Sequence, residues 1–292
     1  MTRHKQPVIP SQLFGKGPRP LLFAHANGFP AGAYRSLLAN LETECTIYAP
    51  ALRPLWQSLG EFRNIYRDNQ LWRRMAADQI AFIEHHNLAP VTYVGHSMGA
   101  VVGLLAAHHK PHLFRRLIMV EPVFLKARYT RIMRYMPSAL KRQVPIVKKA
   151  LGRPDRWSSM QEAFDFHRSR RVFSGFSDSV LWDYINAGVG AINKHGLPTA
   201  EFGLLFDKNW EALVYGTVPN TWNILRQTQV PIDLLRAEHS DTVDDASWQR
   251  WQALSGPKRG VNFAGAQHLL PLDQPDLVAR TILDMVSQDP IL

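Results

Sequence analysis

Short apolar runs rich in β-branched and aromatic residues recur along the chain, at 20–24, 45–49, 91–94, 117–120, 232–236 and 261–264. Each has the length and composition of a buried strand. Between them lie helical patterns. Over 69–86 the apolar residues Leu71, Met75, Ile80 and Ile83 return at roughly helical spacing among charged ones. Residues 98–109 are small and apolar nearly all round, as in a helix enclosed on every side, until Pro111 ends the run. A last helix is predicted over 275–287. Strand and helix in alternation predict an α/β domain with a mostly parallel central sheet and helices on both faces.

The alternation breaks off after Glu121 and resumes only at Ile232. The stretch between them is rich in aromatic, basic and proline residues and reads as mainly helical. No internal repeat or low-complexity tract divides the chain, so the predicted organisation is one catalytic domain, residues 1–121 and 230–292, interrupted by an insertion over 122–229.

Charge sharpens this division. The 292 residues carry a net charge of +10, and between Lys126 and Phe173 stand 13 Lys and Arg against Asp155, Glu162 and Asp165, an excess equal to that of the whole chain. The remainder is near neutral, which speaks against a nucleic-acid-binding surface spread over the protein. The concentrated charge suits a solvated face or a peripheral contact with an anionic surface. A single cysteine, Cys45, excludes an intrachain disulfide and fits a reducing compartment. Residues 1–7 are basic but precede no apolar stretch, so no secretory signal is expected, and no apolar run approaches the roughly 20 residues of a membrane span. A cytoplasmic location is the expectation; nothing bears on oligomeric state.

The chemistry is signalled between the third and fourth of these runs. Gly95-His96-Ser97-Met98-Gly99 lies between an apolar strand and a small-residue helix, the setting in which G-x-S-x-G marks a nucleophile on a sharp turn. Glycines flank the serine because a Cβ there would meet neighbouring chain. The helix that follows aims its free N–H groups at the site, so the backbone N–H of Met98 is the first expected oxyanion donor. His96 is read as a packing and hydrogen-bonding residue.

Val94 to Gly99 resembles the nucleophile elbow of the α/β-hydrolase superfamily, and the resemblance extends from His25 to the last helix. It implies that fold, with a mainly helical cap inserted after the sixth strand. It also implies a second oxyanion donor from the loop His25-Ala26-Asn27-Gly28-Phe29-Pro30, two residues longer than the usual His-Gly-Phe-Pro. Phe29 is favoured for this role, with Asn27 as the alternative, and His25 would order the loop.

Serine needs an imidazole base held by a carboxylate. His268, directly after the run 261–264 and before the last helix, stands where such enzymes place their base. Ala237-Glu238-His239-Ser240-Asp241-Thr242 resembles the Gly-Glu-x-x-Asp turn that ends in the acid, which points to Asp241; Glu238 reads as a structural neighbour. Glu121, at the end of the run 117–120, is the alternative acid, in the position used by the haloalkane dehalogenases. No His-Glu-x-x-His pattern or cysteine partner occurs, so neither a metal nor a cofactor is expected. In the insertion, Trp182 and Tyr184 are candidates to line a pocket for a small acyl substrate. The expected reaction is carboxylic-ester hydrolysis through an acyl-enzyme. Thioester, lactone or carbon–carbon hydrolysis and acyl transfer use the same triad, and a non-catalytic binding protein on this fold is the rival class.

Overall fold

The structure, a computed structural model, describes residues 8–57, 70–194, 197–254 and 259–287. The basic N-terminal segment 1–7 and the start of the predicted helix at residue 69 lie outside these. A seven-stranded sheet runs in the order β1-β3-β2-β4-β5-β9-β10, from β1 (Ser11–Phe14), β2 (Arg19–Ala24), β3 (Cys45–Pro50), β4 (Val91–His96), β5 (Phe114–Val120), β9 (Ile232–Ala237) and β10 (Gly260–Phe263). All neighbours are parallel except β1, which pairs antiparallel with β3 at one edge. Six strands match the predicted runs to within three residues at either end. The exception is β1, Ser-Gln-Leu-Phe with three of its four residues exposed, which has no apolar run to reveal it.

Two apolar layers cover the sheet, and the pleat sorts residues between them. Along β2, Leu21 and Phe23 enter one cluster and Leu22 and Ala24 the other; along β5, Ile118 and Val120 separate likewise from Leu117 and Met119. One face is packed by α1 (Arg35–Ala39) and α13 (Pro275–Val286), the other by α2 (Leu71–His85) and α3 (Met98–His109). Ten consecutive residues of α3, Met98 to Ala107, are buried, which explains why its sequence lacks a polar stripe. The turn after β9 leads into α11 (Asp245–Gln252), capped by the Asp244 side chain on the Ser247 N–H at 2.8 Å.

The segment between β5 and β9 differs from its expected form in two respects. It holds α4 (Ala127–Tyr135), α5 (Ser138–Lys141), α6 (Pro145–Leu151), α7 (Met160–Arg168), α8 (Asp178–Gly188), α9 (Lys208–Gly216) and α10 (Trp222–Gln227), but also a three-stranded antiparallel sheet of order β6-β8-β7, from β6 (Arg156–Trp157), β7 (Val189–Lys194) and β8 (Leu197–Leu204). Gly190, Pro198 and Gly203 dilute the alternation that would have announced those strands. The segment also follows the fifth strand of the chain, not the sixth. It is keyed deeply into the body: Leu181, Tyr184 and Ile185 of α8 join one apolar layer, while Trp210, Leu213 and Val214 of α9 join the other.

Candidate active site

The site forms where β4 turns into α3. Ser97 sits at φ 52° and ψ −109°, a strained conformation for a residue with a side chain, fixed by its own N–H donating to Val120 O at 3.0 Å. A Cβ on Gly95 would stand 2.6 Å from the Ala100 nitrogen, and one on Gly99 2.2 Å from Ala24 O, so only glycine lets α3 start this close to β2 and β4. Met98 begins the helix, and its N–H is one of the first-turn donors that no helical carbonyl can take.

His268 stands in the loop between β10 and α12 (Leu270–Asp273). Its Nε2 is 3.0 Å from Ser97 Oγ, and its Nδ1 is 3.1 Å from Glu121 Oε2 and 3.0 Å from Thr242 Oγ1. Facing these acceptors, Nδ1 carries the proton, and Nε2 is left to accept from the serine.

Asp241, the expected acid, does not face His268: its side chain is exposed, and the carboxylate on the imidazole is that of Glu121. The turn 237–242 supplies the mounting for that carboxylate. Ala237 N donates to Glu121 Oε1 at 2.7 Å, and Ser240 Oγ donates to Glu121 Oε2 at 2.6 Å. Ser240 and Thr242 point inward and Asp241, between them, points out. Glu121 itself leaves β5 at φ 48°, is wholly buried, and has its N–H tied to Leu235 O at 2.8 Å. Of the neighbours named from sequence, Glu238 accepts from Gly265 N at 2.8 Å, away from the imidazole.

The loop 25–30, expected to supply an oxyanion donor, also departs from its favoured reading. Phe29 donates its N–H to Ala26 O at 3.2 Å, closing a tight turn with Gly28 at φ +75°, so this N–H is not free to meet a substrate. The Asn27 backbone N–H has no acceptor among the described residues. The Asn27 side chain is anchored by donating to Glu211 O at 3.1 Å. His25 orders the loop: Nδ1 donates to Ala26 O at 2.8 Å and Nε2 accepts from Leu52 N at 3.0 Å, while burial pushes its pKa down to about 4.

A buried chain of hydrogen bonds connects the two halves of the site. Ala26 N donates to Tyr34 OH at 3.2 Å, Tyr34 OH donates to His96 Nδ1 at 2.7 Å, and His96 Nε2 donates to the His268 carbonyl at 3.0 Å. Burial, reinforced by the nearby His268 and opposed by that carbonyl, lowers the His96 pKa to about 3 and keeps the ring neutral. Sequence reasoning placed His96 in a packing role but had no signal for Tyr34.

Trp182, a candidate pocket residue, is engaged within the inserted segment, and Tyr184, the other, packs between that segment and Phe29 of the 25–30 loop. Trp182 stacks on Phe164 with ring centroids 4.6 Å apart. Tyr184 is wholly buried against Phe29, Phe173 and His167, and its hydroxyl accepts from Arg153 at 3.1 Å. Arg153 also donates to Glu211 Oε2 at 2.7 Å. The Glu211 carboxyl lies 3.5 Å from where a Gly28 Cβ would stand, so this buried pair backs the oxyanion loop. Fifty-eight residues separate Arg153 from Glu211, and no local pattern predicts that they meet.

A strained serine between strand and helix, an imidazole on it and a buried carboxylate behind the imidazole, all at the carboxyl ends of a parallel sheet, define a hydrolase-type site on an α/β-hydrolase fold. Residues 21–281 match the model of the alpha/beta hydrolase family, and the chain belongs to that family. It is similar to the Karrikin insensitive 2 receptor CA of Petunia hybrida, 25% identical over 110 residues that cover 38% of this chain and 40% of the relative. It is also similar to the uncharacterized hydrolase YugF of Bacillus subtilis (strain 168), 30% identical over 104 residues that cover 36% of this chain and 37% of the relative. The chain thus spans about two fifths of the length of the curated relatives it matches. Among solved structures, E-2-(acetamidomethylene)succinate hydrolase superposes with a TM-score of 0.73 at 18% identity, covering 95% of this chain and 94% of that one.

Proposed function

We propose that the chain is a serine hydrolase that cleaves carboxylic esters through an acyl-enzyme, with Ser97 as nucleophile, His268 as base and Glu121 as acid. The observation that carries this reading is the unbroken line from Ser97 Oγ through both ring nitrogens of His268 to Glu121 Oε2, at 3.0 and 3.1 Å. His268 Nε2 takes the hydroxyl proton as Ser97 Oγ attacks the carbonyl carbon, and Glu121 stabilises the imidazolium that forms. The oxyanion of the tetrahedral intermediate accepts from the backbone N–H groups of Met98 and Asn27, each such donor being worth about a hundredfold or more in rate. His268 returns the proton to the leaving alcohol, and water, activated by the same imidazole, releases the acid. Thioesters and lactones present the same carbonyl to the same groups.

The test is labelling with a fluorophosphonate probe and turnover of an ester series of increasing acyl length. Labelling of the native chain and none of Ser97→Ala is expected; equal labelling of both would sink the nucleophile assignment. The receptor named among the relatives supplies a second reading, ligand binding on the same fold. A small acyl compound that binds and stabilises the protein, with no turnover by a probe-reactive Ser97, would favour it.

A further inference from the structure

From Pro122 to Pro154 the chain carries nine Lys and Arg and no Asp or Glu. Helices α4, α5 and α6 fall within this stretch, joined by links of two and three residues. α4 turns Thr130 and Met133 inward, which sends Arg128, Ile132 and Tyr135, four and three residues apart, along its opposite side. Ile132 is 59% and Tyr135 76% exposed, and the stretch continues with Leu140 at 56% and Ile146 at 47%. Lone exposed apolar residues are ordinary on a protein surface, but four in fifteen residues, interleaved with cations and free of carboxylates, are not. Arg128, Arg131, Arg134, Arg142 and Lys148 make no ion pair among the described residues, though Arg134 lies over the Tyr135 ring at 5.7 Å, so no carboxylate among those residues neutralises their charge.

We propose that this face docks on a lipid bilayer that contains anionic lipids, with Ile132, Tyr135, Leu140 and Ile146 entering the headgroup layer and the surrounding cations meeting lipid phosphates and carboxylates. Charge complementarity selects the partner. A nucleic acid would use the same cations, but it has nothing to gain from exposed isoleucine and leucine, whereas the boundary between headgroups and acyl chains takes up both. A groove of about 410 Å³ lies under α4, lined among others by Arg73, Arg131, Arg134 and Lys141, and offers room for one anionic headgroup beside the inserted side chains. No helix among the described residues is long and apolar enough to cross a membrane, so the association is peripheral.

The docked face is tied to the site. α4 begins six residues beyond Glu121, a chain path of at most about 20 Å. Along that path Phe124 N donates to Thr242 O at 3.0 Å, in the turn that mounts Glu121 and touches His268.

This inference does not rest on the catalytic reading and is tested without it. Full-length Ser97→Ala protein is floated with vesicles of phosphatidylcholine alone or mixed equally with phosphatidylglycerol. Partition onto the mixed vesicles, falling as salt is raised, is expected, with little onto phosphatidylcholine. The triple substitution Arg128→Gln, Arg131→Gln, Arg134→Gln should lower the partition about a hundredfold, each surface cation being worth about a factor of five. Ile132→Ser with Tyr135→Ser should lower it about tenfold or more at every salt concentration. All five positions are exposed, so the fold is expected to survive, checked by an unchanged melting curve. Absence of binding, equal binding to both vesicle types, or binding unaffected by the triple substitution would overturn the proposal. So would duplex RNA that competes with the vesicles and binds more tightly than they do.

Discussion

The sheet and the segment inserted into it differ in what they bury next to the site. Between the strands and α3, burial is mostly apolar: of the polar groups that remain inside, Ser97, His96 and Glu121 belong to the site or adjoin it, Thr92 lies on β4, and on β9 Asp233 pairs with Arg116 at 2.6 Å and Arg236 with Asp245 at 2.5 Å. In the inserted segment charged groups are buried as pairs: Arg153 with Glu211 and Tyr184, backed by His167, whose pKa burial lowers to about 4. The contrast shows where tolerance lies. A close-packed apolar layer around a strained turn fixes reacting atoms to fractions of an ångström, whereas a paired and partly charged segment can change its surface residues and keep its place.

The largest effects expected from breaking this contrast fall on the sheet side. Ser97→Ala should reduce ester turnover by about ten-thousand-fold or more with the fold intact. Glu121→Gln should cost on the order of a thousand to ten-thousand-fold in kcat while Asp241→Asn stays within about threefold, because the carboxylate that faces the imidazole is that of Glu121 and not of Asp241. Steady-state kinetics on the two variants decides it, and the reverse ranking would return the acid to the turn 237–242.

On the inserted side the effects should appear in stability first. Glu211→Ala leaves the Arg153 guanidinium buried without its partner and should cost about 3 kcal/mol. Pairing it with Arg153→Met should recover most of that loss in chemical denaturation. If the pair also holds the oxyanion loop, the recovered double variant keeps a lower kcat at unchanged KM.

Acid should weaken both regions together. His25, His96 and His167 are held neutral in the fold, at about 4, 3 and 4, against an ordinary value of 6.5. Below 6.5 the unfolded chain therefore binds more protons than the native one. Their contribution is full above that pH and is lost as pH falls toward 4 and 3, a total on the order of several kcal/mol. Asp273, pushed up to about 6 by burial, has the opposite sign, because its contribution is present at low pH and lost as pH rises through 6. Unfolding free energies measured from pH 7 down to 4.5 should thus fall with a slope blunted below about pH 6. The smallest effect is expected for Tyr34→Phe, about 1 kcal/mol of stability and a few-fold in kcat, since His96 would lose one of two hydrogen bonds while its packing stays. A loss as large as that of Glu121→Gln would place Tyr34 in the chemistry itself.

Most of the sheet was legible because its information is local. Apolar runs such as Val91 to Val94 and the polarity-free stretch from Met98 to Ala107 state their burial residue by residue, and the glycines around Ser97 state the turn. The edge strand β1 was not legible, since an exposed four-residue strand has no pattern, nor was the three-stranded sheet of the insertion, where glycine and proline interrupt the period. Which carboxylate meets His268 was not legible for a related reason. Asp241 lies in a turn of familiar form, but whether its side chain or those of Ser240 and Thr242 face inward depends on how β9 sits against β5.

The sequence by itself therefore determined the family and the positions of most strands, and singled out Ser97 and His268 as candidates, because each is written in contiguous residues whose burial pattern has one reading. The tertiary structure alone decided what the imidazole leans on and how the insertion is braced. Those outcomes follow from contacts between residues 26, 58, 116 and 147 positions apart. Such contacts depend on strand register and helix docking, which no local pattern encodes.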